Sequence, residues 1–283
     1  MSFKTKKRGK SPFRIHEVSF LVMTFFLLLN LVSPAFGAPT TSLTIQVIEN
    51  NTTAFERVLD YQWMEQNLPV IGDGTTHYYH QGPVFKGDPW DPNETVNLRD
   101  MGAIKGTAVV DICNLAGGLA TGDEVMIKAS DGYHIQFTPD FLISPPDLAG
   151  PLTIAWYNGA ESGAGERQGT GYVPEYFTGM RLMICASENP KTGKHVFGNT
   201  DMNITLPAKA QYFYSGLYPS TSGLSSKWVD EVRIYRGGYT GDPSAPIKSI
   251  PEPTKTPASG LSVFSLLVSG LVGITAFYMS RRV

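Results

Sequence analysis

Two histidines three residues apart, His77-x-x-His80, are the first side chains in this sequence whose type and spacing suggest metal chemistry. Two imidazoles can converge on one ion if the turn between them is tight, and His134 and His195 are candidate further ligands. The segment lacks the Glu of a helical HExxH and runs into Gly82-Pro83, so the competing reading is a pair of packed, hydrogen-bonded rings. Cys113 and Cys185 are the only cysteines, too few on their own for a four-ligand zinc site. They are either a disulfide closing a long loop or two separate buried thiols. Gly163-x-Gly165 with Gly169 departs from the GxGxxG spacing, and Val173-Pro174 follows in place of a helix, so it reads as a surface loop. No serine lies in GxSxG. Asp230 and Glu231 are consecutive on an expected strand and point to opposite faces, which argues against a catalytic pair.

The elements that would position these residues are mostly short strands. Residues 105–140 hold the clearest local pattern. Thr107 is placed to cap a helix whose Val109, Ile112, Cys113 and Ala116 repeat at i, i+3, i+4 and i+7, and Gly117-Gly118 stop it. Val125, Ile127 and Ala129 then share one face of a strand, Ser130-Asp131-Gly132 turns the chain, and Ile135 and Phe137 alternate on the return. Further strands are expected at residues 42–49, 151–157, 179–187 and 228–235, with an aromatic run at 212–218 and a short capped helix at 60–67. Residues 71–106 are rich in Gly, Pro, Asp and Asn and read as a long functional loop. Many strands with few short helices give an α+β, β-rich domain.

Both ends read as addresses. Lys4, Lys6, Lys7, Arg8, Lys10 and Arg14 precede an apolar run and Ala35-Phe36-Gly37, the layout of a signal peptide over residues 1–37. Residues 261–279 carry no charge and precede Arg281-Arg282, the layout of a transmembrane anchor with a cytoplasmic positive flank. Between them lie a body at 38–236 and a Pro/Gly/Ser/Thr-rich spacer at 237–260. Residues 38–280 hold 15 Lys and Arg against 24 Asp and Glu, a formal charge of −9. Such a body repels phosphate backbones, which argues against nucleic acid as a partner. Asn50, Asn51, Asn93 and Asn203 begin Asn-x-Thr sequons, candidate glycan sites on loops of an exported chain.

The order VVDICNLAGG, VMIKASDGYHIQF, PLTIAWYNG, GMRLMICAS and SSKWVDEVRIY resembles the sulfite-oxidase-like molybdopterin-binding domain over residues 105–236. Carriers of the resemblance are the Asp-Gly-Tyr turn, the Gly/Arg-containing strand and the closing Lys-Trp-Val strand. It implies a mixed α+β fold and, in family enzymes, molybdenum held by a cysteine upstream of the helix. Residues 38–104 contain no cysteine and the sequence has no basic cluster to grip a pterin phosphate, so no catalytic residue carries over. The segment WMEQNLPVIGDGTTHYYHQGPVF is similar to segments of archaeal, methanogen-type surface proteins with a degenerate form of the domain. The tail is similar to sorting signals that a membrane protease exchanges for a lipid anchor. The resemblance thus implies an anchored cell-surface protein without a cofactor, acting in surface structure or in recognition of a cell-envelope protein or glycan. A molybdopterin oxidoreductase and a histidine-based metal binder are the alternatives.

Overall fold

The computed structural model describes residues 39–241 apart from residue 91. Strand β1 (Ser42–Glu49) buries Leu43, Ile45 and Val47 on one face, as its alternation predicts. Asn50 and Asn51, both at positive φ, form the two-residue turn into β2 (Thr52–Asp60), because that hairpin geometry needs two left-handed residues and Asn tolerates them. Asp60 caps helix α1 (Tyr61–Asn67) by accepting from the Trp63 amide at 2.7 Å.

The region expected to be one long loop contains pairing strands. After β3 (Val70–Ile71) come β4 (Tyr78–Gln81) and β5 (Leu98–Asp100), so the real connection is residues 82–97. These strands are too short to show a period, and β4 finds its parallel partner far away in sequence. Strand β6 (Ile104–Ala108) takes Thr107 out of the capping role. Its backbone pairs with Val70 and Ile154, and its buried hydroxyl accepts from Trp156 Nε1 at 3.2 Å. Helix α2 (Val109–Asn114) therefore starts without a side-chain cap, and Ala116 falls beyond its end. Gly117 and Gly118 do terminate it, both at positive φ, and Arg236 donates to the carbonyls of Ala116 and Gly118 there.

The predicted hairpin forms from β7 (Glu124–Ala129) and β8 (His134–Phe137), with Val125 opposite Phe137 and Ile127 opposite Ile135. Helix α3 (Pro139–Ile143) leads to β9 (Leu152–Asn158), which is buried on both faces and places Trp156 in the core. Strands β10 (Gly171–Tyr172), β11 (Arg181–Ile184), β12 (Glu188–Asn189) and β13 (Lys194–Phe197) follow, then α4 (Asn199–Thr205). The aromatic run makes a two-stranded ribbon, β14 (Phe213–Tyr214) with β15 (Tyr218–Pro219). The last strand is β16 (Val229–Tyr235), whose irregular alternation reflects a register shift between Val229 and Glu231.

Three larger sheets share one apolar core. The first has the order β2-β1-β16-β7-β8, with β1 and β16 parallel. In the second, β6 lies on one side of β9 while β10 and β11 lie on the other. The third runs β12-β13-β4-β5. Leu43, Ile112, Trp156, Tyr176 and Phe197 meet in the core, each essentially without exposure. The architecture is β-rich with a few short helices, in the α+β class. Gly237 and Tyr239, assigned to the spacer by composition, still bond back to Asp123 and Glu124. The expected signal peptide and the apolar segment at 261–279 lie outside the described residues, and no described helix is long and apolar enough to cross a membrane.

Candidate functional site

A cleft of about 480 Å³ opens where β5, β11, the loop before β10 and the approach to β16 come together. Three cations converge on it: Arg99 from β5, Arg181 from β11 and Lys227 just before β16. Arg181 is 3% exposed, and two arms of its guanidinium are hydrogen-bonded while the third faces a carboxylate. Its Nε donates to Ser225 Oγ at 2.8 Å and its Nη1 to Gln168 Oε1 at 2.6 Å, while Nη2 lies 3.9 Å from Glu166 Oε2. Ser225 in turn donates to the Leu182 carbonyl, and Gln168 also accepts from Tyr176. A planar five-donor fork held this way is a rigid anion receptor rather than a flexible point charge.

Local sequence features set the other two cations. Glycine at position 82 lets the Asn97 and Arg99 side chains cross directly over the backbone, where a Cβ would push them aside. Trp228 sits at φ 51, a conformation that L side chains rarely adopt, with its amide bonded to the Thr178 carbonyl and its carbonyl to the Ser130 amide. That kink turns the chain just before β16 and leaves Lys227 on the cleft wall, where its ammonium pairs with Glu166. The glycine-bearing loop thus has a role besides connection: it carries Glu166 into the cleft. Its base is fixed where Glu161 accepts from the amides of Gln168 and Gly169.

The sequence shows no basic cluster, but folding makes one. Arg181 and Lys227 lie in the two segments, GMRLM and SSKWV, on which the resemblance rests. The Asp-Gly-Tyr turn reaches the same end of the molecule, since Tyr133 donates to the Gly223 carbonyl at 2.9 Å. The type of each residue was visible in sequence; the convergence of three distant segments was not.

The histidine pair is engaged separately. His77 Nδ1 contacts the buried Asp100 carboxylate at 2.8 Å. His80 is fully buried on β4, with Nε2 donating to the Ile184 carbonyl at 3.1 Å and Nδ1 left without a partner. Burial pushes its pKa down to about 4, and the nearby Arg181 charge pushes the same way. His195 packs its ring on Tyr78, and His134 lies exposed on β8. Among the described residues no group of three or more His, Cys, Asp or Glu side chains is placed to hold a metal ion.

The cysteines are two separate buried thiols, so the candidate disulfide is not formed. Cys113 belongs to the core face of α2 and Cys185 follows β11, and burial pushes both thiols up to about 12. Neither lines the cleft. A molybdenum centre of the resembled family needs a thiolate at the metal, and these residues do not fit one. Glu231 on β16 is paired with Lys128 and Arg233, a structural network. Of the sequons, Asn50 and Asn51 form the exposed β1–β2 turn and Asn93 is exposed in the connection 82–97. Asn203 is exposed too, but on helix α4 rather than on a loop.

A second ionisable region lies beside that connection. Glu94, 3% exposed, accepts from the Asp201 amide at 3.1 Å, and Asp201 accepts from the Gly198 amide at 3.1 Å. Both carboxyls are raised from their ordinary values, first by burial and, for Glu94, next by the charge of Asp201. They border a cavity of about 350 Å³ that Asp147, Glu188 and Lys191 also line. No family model matches the chain, and no curated protein matches it.

Proposed function

We propose that this chain is an exported recognition protein of the cell surface, held to the cytoplasmic membrane by its C-terminal segment, whose cleft binds anionic groups on a cell-envelope protein or glycan. In this reading the body is a sulfite-oxidase-like domain of archaeal surface-protein type that works without a cofactor and without turnover. The observation that carries it is the convergence of Arg99, Arg181 and Lys227 on one cleft, with Arg181 already locked by Ser225 and Gln168. Preorganised donors lose little entropy when an oxyanion arrives, which is what a binding site requires. The side chains lining the cleft include no thiol and no imidazole, so its chemistry is charge recognition.

Calorimetric titration of the purified full-length protein at low ionic strength tests this. Inorganic phosphate, sulfate and a uronic acid are the probes. Binding is expected for at least one of them, weakening with added salt and lost in Lys227→Ala and Arg99→Ala. Absence of binding by all three would sink the reading.

A molybdopterin oxidoreductase is the second reading. What favours it is that the resembled segments supply two of the three cations, a grip suited to a cofactor phosphate. Elemental analysis separates the two: stoichiometric molybdenum in the purified protein supports the oxidoreductase, and its absence removes it. Zinc, copper or iron lost on His80→Ala would instead support the histidine-based metal site.

A further inference from the structure

We infer that Glu166 is a built-in competitor for the cleft and makes it selective for ligands carrying two negative charges. The inference rests on the anion-binding reading above and concerns what that site accepts. Glu166 presents one oxygen to Lys227 Nζ and the other to Arg181 Nη2 at 3.9 Å, so a carboxylate of the protein already occupies the position of a ligand's oxyanion.

Its side chain is half exposed, unlike the Arg181 it faces, so it can rotate into solvent without opening the core. The loop itself need not move. Ala164 accepts from the Asp100 amide, and Gly165 rests on the Asp100 backbone so closely that a Cβ there would collide. Glu161 fixes the far side through the Gln168 and Gly169 amides. A docked loop with one free carboxylate arm is a side-chain gate.

The third cation sets the charge rule. Arg99 is exposed and has no acidic partner among the described residues. A monoanion entering the cleft only replaces one carboxylate with another at Lys227 and Arg181, and gains little. A compact dianion takes those two cations and engages Arg99 with its second charge. The ligand class is therefore a small dianion, such as a dicarboxylate, a phosphate monoester or the free sulfate ion, and acidic residues or sugars with a single isolated charge are excluded.

Acetate, succinate and inorganic sulfate, titrated by calorimetry into the full-length wild-type and Glu166→Gln proteins, give the test. In the wild type, succinate and sulfate bind and acetate does not. In Glu166→Gln, affinity for the dianions rises about fivefold, the worth of a partly exposed ion pair, and acetate binding becomes measurable. Glu166→Asp, a methylene shorter and still charged, falls between the two. Equal affinities in wild type and Glu166→Gln, or acetate binding wild type as tightly as succinate, overturn the inference while the cleft reading stands. No binding of any probe to either protein removes both. Urea titration of each variant checks folding, and Glu166→Ala replaces Glu166→Gln if the latter is destabilised.

Discussion

The cleft and the Glu94–Asp201 cavity both take ionisable groups out of water, and they accommodate the charge in opposite ways. At the cleft the buried group is an arginine, which cannot give up its proton, so the fold surrounds it with Ser225, Gln168 and Glu166. Its neighbour His80 yields instead and stays neutral, its pKa held down by burial and by the Arg181 charge. At the cavity there is no cation close by in the pair itself. Two carboxyls face each other, burial raises both, the charge of Asp201 raises Glu94 further, and a shared proton takes the place of a counter-ion. One region keeps a permanent charge and builds a receptor around it; the other discards charge and becomes a joint that pins the 82–97 connection to α4. The lesson is that burial alone does not mark a binding site. What sets the cleft apart is a charge the group cannot shed, with one arm of its guanidinium 3.9 Å from its nearest carboxylate and so not hydrogen-bonded.

The sharpest way to break this contrast is Arg181→Ala. It leaves Gln168 Oε1 and Ser225 facing an empty buried space and frees Glu166 from one partner, and loss of about 4 kcal/mol is expected from the urea midpoint. Arg181→Lys should recover only part of this, since an ammonium cannot reach Ser225 and Gln168 together.

Acid tests the same side next. His80 has a folded pKa of about 4 against an ordinary 6.5, so the unfolded chain binds more protons between those values. The contribution is complete above pH 6.5 and is lost as pH falls through 4, on the order of 3 kcal/mol in all. His80→Gln, which keeps a donor for the Ile184 carbonyl, should flatten that limb of a pH series of denaturation midpoints.

The cavity should respond in the reverse sense. Glu94 is raised from 4.5 to about 8, so the folded state holds the extra proton. Its contribution is complete below pH 4.5 and is lost as pH rises through 8. Glu94→Gln should remove this alkaline decline while leaving the acid limb intact, visible as a plateau in melting temperature. If both variants alter the same limb, the two regions are not independent and the comparison fails.

The fold was readable in sequence where apolar residues recur at every second position of a strand or a capping residue precedes a helix. β1, β7 and β8 announce themselves by alternation, and Asp60 by its place before a helix. It was unreadable where strands are two to four residues long and paired at a distance, as with β4 and β13. Thr107 shows why a local signal can mislead: a good capping residue was drawn into β6 because pairing on both sides and a bond to Trp156 outweigh one cap. For the site, the histidine spacing drew attention to groups that the fold then used separately. The cations that do meet are single residues in three unlike segments, and no window of sequence contains them together.

The parallel pairing of β1 with β16 has a mechanical consequence. Lys227 stands just before β16 and Arg236 just after it, so β16 is the rod, about 23 Å long, between the cleft and the residues that follow the body. It is gripped on one side by β1 and on the other by β7. A pull applied along the strand axis would be carried by that rod. It would strain the hydrogen bonds of both ladders together, in shear, rather than peel them open one at a time. A strand clamped on both sides in this way resists being drawn out along its own axis.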